Sequence, residues 1–113
     1  MTGVTIDPNT FAELQATTGT DFVVELVDTF AEEAPRMLAE MRSAHAEAAA
    51  ERFRRAAHSL KSNSSTFGAV RLAEMARALE LGGLPDVSAG APLDAVAAEL
   101  DSALAALKAL ARG

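Results

Sequence analysis

Between Phe22 and Ala44 the apolar residues Phe22, Leu26, Phe30, Ala34, Met37, Met41 and Ala44 recur at steps of three and four. Residues so spaced share one face of an α-helix, whereas the inner face of a strand repeats every second residue. Pro35 falls inside the run. At about 100° per residue it lies opposite the stripe, which keeps its phase across it, so the pattern predicts one kinked helix and not two.

The rest of the chain reads the same way. "DPNTFAELQATTG" predicts a short leading helix with Asp7 as N-cap, Pro8 at the first helical position and Gly19 ending it. After the long second helix, a break near His45 to Ala49 leads to a third helix at about Ala50 to Phe67, with Gly68 at its C-terminal end. A fourth is predicted at about Val70 to Leu81, with Leu72, Met75, Ala76 and Leu79 inward. "GGLPDVSAGAP" reads as a loop, and a last helix at about Pro92 to Ala111 has Leu93, Val96, Ala97, Leu100, Leu104 and Leu107 in phase. With only 5 Phe, no Trp and no Tyr, the core must come from Leu, Val, Met and Ala, a mixture that favours closely packed helices. The expectation is an all-α fold, an antiparallel four-helix bundle with a short additional N-terminal helix, forming one domain over residues 1–113.

Several function classes lose support on composition. There is no cysteine, hence no disulfide and no thiolate metal site. No apolar run approaches a membrane span and "MTGVTIDPNT" has no secretory-signal character, so a soluble cytoplasmic protein is the default expectation. A net charge of -6 argues against a general nucleic-acid binder, and a self-contained bundle makes monomer the simpler expectation. Neither a "GxSxG" elbow nor a "GxxxxGK[ST]" loop is present. With His45 and His58 as the only histidines, a zinc site would need carboxylates at spacings the sequence does not offer, so no metal is expected; His45 reads as a helix-boundary residue.

The most informative stretch is "AAHSLKSNSSTFGA", Ala56 to Ala69. On a helix, Phe53, Ala57, Leu60, Ser64 and Phe67 fall within about 40° of a common direction, while His58 lies about 140° away and faces water. Beside it on the exposed face come Arg54 and Arg55 one turn before, and Lys61, Ser62 and Ser65 one and two turns after. Arg52 to Lys61 holds four cations and no acid, which would push the imidazole below its reference pKa of about 6.5 and leave a neutral nucleophile at pH 7. The same cations would stabilise an attached phosphoryl group, although Arg52 points elsewhere and reads as part of a solvated face.

These residues resemble the phosphorylation motif of the histidine-containing phosphotransfer (HPt) domains of bacterial two-component phosphorelays, His-x-Leu-Lys-Gly-Ser-Ser-x-x-Leu-Gly-Ala. His58, Leu60, Lys61, Ser64, Gly68 and Ala69 match directly, and Phe67 is an apolar substitute. The helix order and the proline in "FAEEAPRMLAEMRSA" extend the resemblance over nearly the whole chain. It implies that His58 accepts a phosphoryl group from the aspartyl phosphate of a response-regulator receiver domain and passes it to the aspartate of another, with Lys61 steadying the group. It implies receiver domains as partners, admits a hybrid histidine kinase, and needs no cofactor on this chain, Mg²⁺ being the receiver's. Arg54, Arg55, Ser62 and Ser65 are then candidate docking residues, with Phe11 a candidate to flank them or else a core residue. Ser62 and Asn63 stand where the family has Gly and Ser, which bears on partner choice more than on chemistry.

Other readings predict different behaviour. A non-phosphorylated adaptor that docks on a receiver or kinase would need neither His58 nor Lys61. A fragment of a chemotaxis-type kinase would be phosphorylated in cis, and a small chain starting at Met1 without a linker leans against it. A DNA-binding bundle fits the acidity least.

Overall fold

The computed structural model describes residues 5–83 and 91–112. Five helices follow one another: α1 (Pro8–Thr18), α2 (Thr20–Ala46), α3 (Ala50–Thr66), α4 (Val70–Gly82) and α5 (Ala91–Arg112). Most of the loop expected at "GGLPDVSAGAP", residues 84–90, lies outside the described residues, as do residues 1–4 of the N-terminal stretch. Helices α2 to α5 pack in cyclic order as an antiparallel four-helix bundle, and α1 packs on α2.

Local chemistry sets the boundaries. The Asp7 carboxylate caps α1 by accepting from the Asn9 N–H at 3.1 Å and from the Thr10 hydroxyl at 2.8 Å, with Pro8 at the start. Gly19, at φ +99°, ends α1 and begins α2. Helix α2 continues for 27 residues through Pro35, whose ring is on the exposed side. The chain reverses at Glu47 to Ala49, where Ala48 takes a left-handed φ of +55° and the Ala49 N–H reaches back to the Ala44 carbonyl at 2.8 Å.

The core centres on Phe53, Met41, Leu60, Leu72, Leu93 and Leu107. The α3 stripe is as its spacing predicts: Phe53, Ala57, Leu60, Ser64 and Phe67 are all buried. Phe67 stacks on Phe30 with ring centroids 4.9 Å apart, fixing the end of α3 against α2.

Three faces differ from the expected ones. On α2 the first buried residues are Val23 and Val27, while Phe22 is 49% exposed and Leu26 half-buried. The buried face is rotated by about 35° from the stripe drawn through Phe22, because α2 packs against both α3 and α5 and must bury a wide sector. On α4, Ala73 is buried and Met75 only half-buried; on α5, Ala103 and Ala111 are buried while Ala97 and Leu104 are half-buried.

Gly68 ties α1 to the bundle. It has φ +77°, and a Cβ there would meet the Asp7 carbonyl oxygen and the Thr10 Cβ, each at 2.9 Å. Its own carbonyl accepts the Asp7 N–H at 2.7 Å. Ala69, next in the chain, is fully buried.

Candidate functional site

Helix α3 presents His58 opposite its buried stripe, and the side chain is 55% exposed. Because α3 and α4 form a tight antiparallel hairpin about Gly68, a residue of α4 comes level with it. That residue is Glu80, whose Oε2 accepts a hydrogen bond from His58 Nδ1 at 2.9 Å. The other carboxylate oxygen, Oε1, is 2.8 Å from Lys61 Nζ, and Arg54 Nη1 is 4.0 Å from Oε2. Glu80 is only 13% exposed. The Lys61 ammonium, and after it the His58 ring N–H, hold the Glu80 carboxyl below the usual carboxylate range.

This arrangement selects a tautomer. An ionised carboxylate can only accept, so the proton of a neutral imidazole sits on Nδ1 and Nε2 keeps the free lone pair. With Nδ1 committed to Glu80, Nε2 is the ring nitrogen open to solvent, and a bond formed there would put positive charge on a ring that has an anion behind it.

The purely cationic surroundings expected from Arg52 to Lys61 are not what the structure holds. Arg52 is turned away, as its phase predicts, and pairs with Glu40 at 2.8 Å and Glu47 at 2.7 Å. Arg54 is clasped by Glu51, with its Nη2 2.7 Å from Oε2. Lys61 faces Glu80. The acids that balance these cations come from α2, α4 and the helix ends, which the stretch around His58 does not contain.

The small residues divide as their phases require. Ser62 and Ser65 are exposed one and two turns beyond His58, while Ala57 and Ser64 are buried. Among the described residues the Ser64 hydroxyl has no hydrogen-bond partner. Asn63 is half-buried and turns its side-chain amide back to the Ser59 carbonyl at 2.8 Å, which keeps it off the exposed face. Phe11 is 3% exposed and belongs to the core, so it is removed from the docking candidates: α1 lies over the end of the bundle and buries the ring there. Arg55 is exposed, and His45 is half-buried in the last turn of α2. Leu81, immediately after Glu80, is 69% exposed and adds apolar surface on α4 that the α3 motif does not announce. Among the described residues no group of three His, Asp or Glu side chains is placed to hold a metal ion, and no helix is long and apolar enough to cross a membrane.

The family model for the Hpt domain matches residues 25–110, a span that takes in most of α2, all of α3 and α4, and nearly all of α5. The chain belongs to the Hpt domain family. This Hpt domain is also similar to the crystal structure of histidine-containing phosphotransfer protein B (HptB) from Pseudomonas aeruginosa PAO1. That match has a TM-score of 0.73 and 27% identity, and covers 98% of this chain and 94% of that one. No curated protein matches the sequence. An Hpt domain is a histidine phosphotransfer carrier of phosphorelays, and in this one the histidine on the exposed α3 face is His58.

Proposed function

We propose that His58 is the phosphoryl-accepting residue, that its Nε2 receives the group from a receiver-domain aspartyl phosphate, and that another receiver aspartate then takes it. The observation that carries this reading is the exposed imidazole whose Nδ1 is tied to Glu80. In the forward step the Nε2 lone pair attacks phosphorus, the N–P bond forms, and the bond to the aspartyl oxygen breaks to release a carboxylate. The ring becomes cationic, and the Nδ1–H bond to Glu80 becomes charge-assisted. In the return step the acceptor carboxylate attacks and the neutral imidazole leaves.

Lys61 is one turn along from His58 and is the cation best placed to meet the phosphoryl oxygens; until then its ammonium rests on Glu80. Transfer of this kind needs positioning and charge neutralisation more than extra reactive groups, which suits a rigid helix offering one imidazole. Ser62 and Ser65 leave room for the partner's loops, and Arg54 borders the site. The carrier acts as one domain, as a monomer in the cytoplasm, without a cofactor of its own, Mg²⁺ being the receiver's.

The test incubates the protein with a panel of phosphorylated receiver domains and follows acid-labile label. Labelling of the wild type that is lost in His58→Gln is the expected result. Equal labelling of the variant, or none of the wild type by any receiver, defeats the reading and favours a sterically acting adaptor.

A further inference from the structure

On the flank of α3 away from Glu80, a groove of about 440 Å³ lies between α2 and α3. Arg36 and Met37 of α2 face Arg55, Ala56 and Ser59 of α3 across it, with the Arg52–Glu40 ion pair at the end nearer the α2–α3 turn. Ser59 follows His58 and Arg55 lies one turn before it, so the groove opens beside the imidazole.

The charges single this groove out. The other cations of α3, Arg52, Arg54 and Lys61, each have a carboxylate partner. Among the described residues, neither Arg36 nor Arg55 has a carboxylate within ion-pair distance, although both are exposed and line the same groove. Three guanidinium groups here meet one carboxylate, in a chain whose net charge is -6. Met37 and Ala56 supply an apolar floor between them.

We infer that this groove seats an acidic segment of the receiver domain that exchanges phosphoryl groups with His58, with Arg36 and Arg55 meeting its carboxylates. The inference rests on the phosphorelay reading above. Charge complementarity argues for this occupant: the partner must bring a carboxylate acceptor up to His58, and an acidic chain repels such a surface unless cations stand at the contact. Arg36 reaches the contact from a different helix than the histidine, so the groove also fixes the partner's orientation across α2 and α3.

The experiment uses a receiver domain that labels the wild type and compares it with phosphoramidate, a small donor that has no docking surface. With phosphoramidate the P–N bond to ammonia breaks as the Nε2–P bond forms. Arg36→Glu is expected to lower kcat/KM for transfer from the receiver by about 10-fold at low salt. The deficit should shrink as added salt shortens the screening length. Arg36→Lys should restore most of the rate, and labelling of Arg36→Glu by phosphoramidate should match the wild type. An unchanged kcat/KM in Arg36→Glu, a loss that does not respond to salt, or an equal loss with phosphoramidate overturns the inference. A dimer of the wild type that becomes monomeric in Arg36→Glu would assign the groove to a second copy of the chain and also overturn it. Failure of both donors to label wild-type His58 would instead defeat the phosphorelay reading itself.

Discussion

Replacing Gly68 by alanine tests how the N-terminal helix is held. Two costs can be worked from the geometry. Gly68 has φ +77°, and a non-glycine residue in the left-handed region costs about 1–2 kcal/mol. The new Cβ would also stand 2.9 Å from the Asp7 carbonyl oxygen, 2.9 Å from the Thr10 Cβ and 3.3 Å from the Thr10 Cγ2. Two of these three atoms cannot swing aside, one being backbone and the other a Cβ, so overpacking adds about 1–3 kcal/mol. The alternative is for α1 to lift, which sacrifices the 2.7 Å hydrogen bond from Asp7 to Gly68 and exposes Ile6 and Phe11. Either route gives a loss of about 2–5 kcal/mol, a drop of roughly 10–20 °C in Tm for a domain of this size. Urea and thermal unfolding followed by far-ultraviolet circular dichroism measure the loss, and amide exchange should show α1 losing protection before α2 to α5. A Gly68→Ala variant within about 0.5 kcal/mol of the wild type would refute the close approach of α1 to the α3–α4 turn.

Three further outcomes follow from the site and the core. Lys61→Ala should slow receiver-to-His58 transfer by about 10-fold or more while the fold stays intact by circular dichroism, since the side chain is 29% exposed; unfolding would contradict its placement. Glu80 has its carboxyl held below the usual range in the folded state, so its contribution to stability is present above the unfolded value of about 4.3 and is lost as pH falls through the lower folded value. Melts between pH 6 and 3 should therefore show the wild type losing Tm more steeply on acidification than Glu80→Gln, and parallel curves would contradict this. Ser64→Ala removes a buried hydroxyl that lacks a partner among the described residues and should raise stability by up to about 1 kcal/mol in urea titrations, whereas a clear loss would mean the hydroxyl is satisfied.

Much of this fold is legible from periodicity because its helices are amphipathic and joined by short turns. The α3 stripe and the Asp7–Pro8 start of α1 depend on residues near in sequence, and both follow from spacing and capping chemistry. The first turns of α2 are ambiguous for a physical reason. Phe22 with Leu26, and Val23 with Val27, both satisfy the helical spacing, and the choice is made by α3 and α5 packing on either side. Hence Phe22, the largest of the four, is the one left outside.

The candidate site divides in the same way. The exposure of His58 follows from phase on its own helix, but its electrostatics depend on Glu80, 22 residues away on α4. A signal for Glu80 does exist in the sequence. His58 lies ten residues before Gly68, and in a tight antiparallel hairpin the partner lies about as far beyond the turn, within a couple of residues of Ala78. Of the side chains from Ala76 to Glu80, only that of Glu80 can accept from an imidazole. Counting charges along α3 alone misses it, and misses Glu40 and Glu47 as the partners of Arg52, whose turn away from the site does follow from its phase.

In the proposed phosphorelay function, phosphoryl transfer to this protein ends at one nitrogen of one residue. Nuclear magnetic resonance of protein with 15N-labelled histidine, phosphorylated by a receiver domain, reads that attachment directly. The expected result is an N–P bond at Nε2 of His58, with Nδ1 still protonated and bonded to Glu80. Phosphorylation at Nδ1, at His45 or on a serine hydroxyl would contradict it.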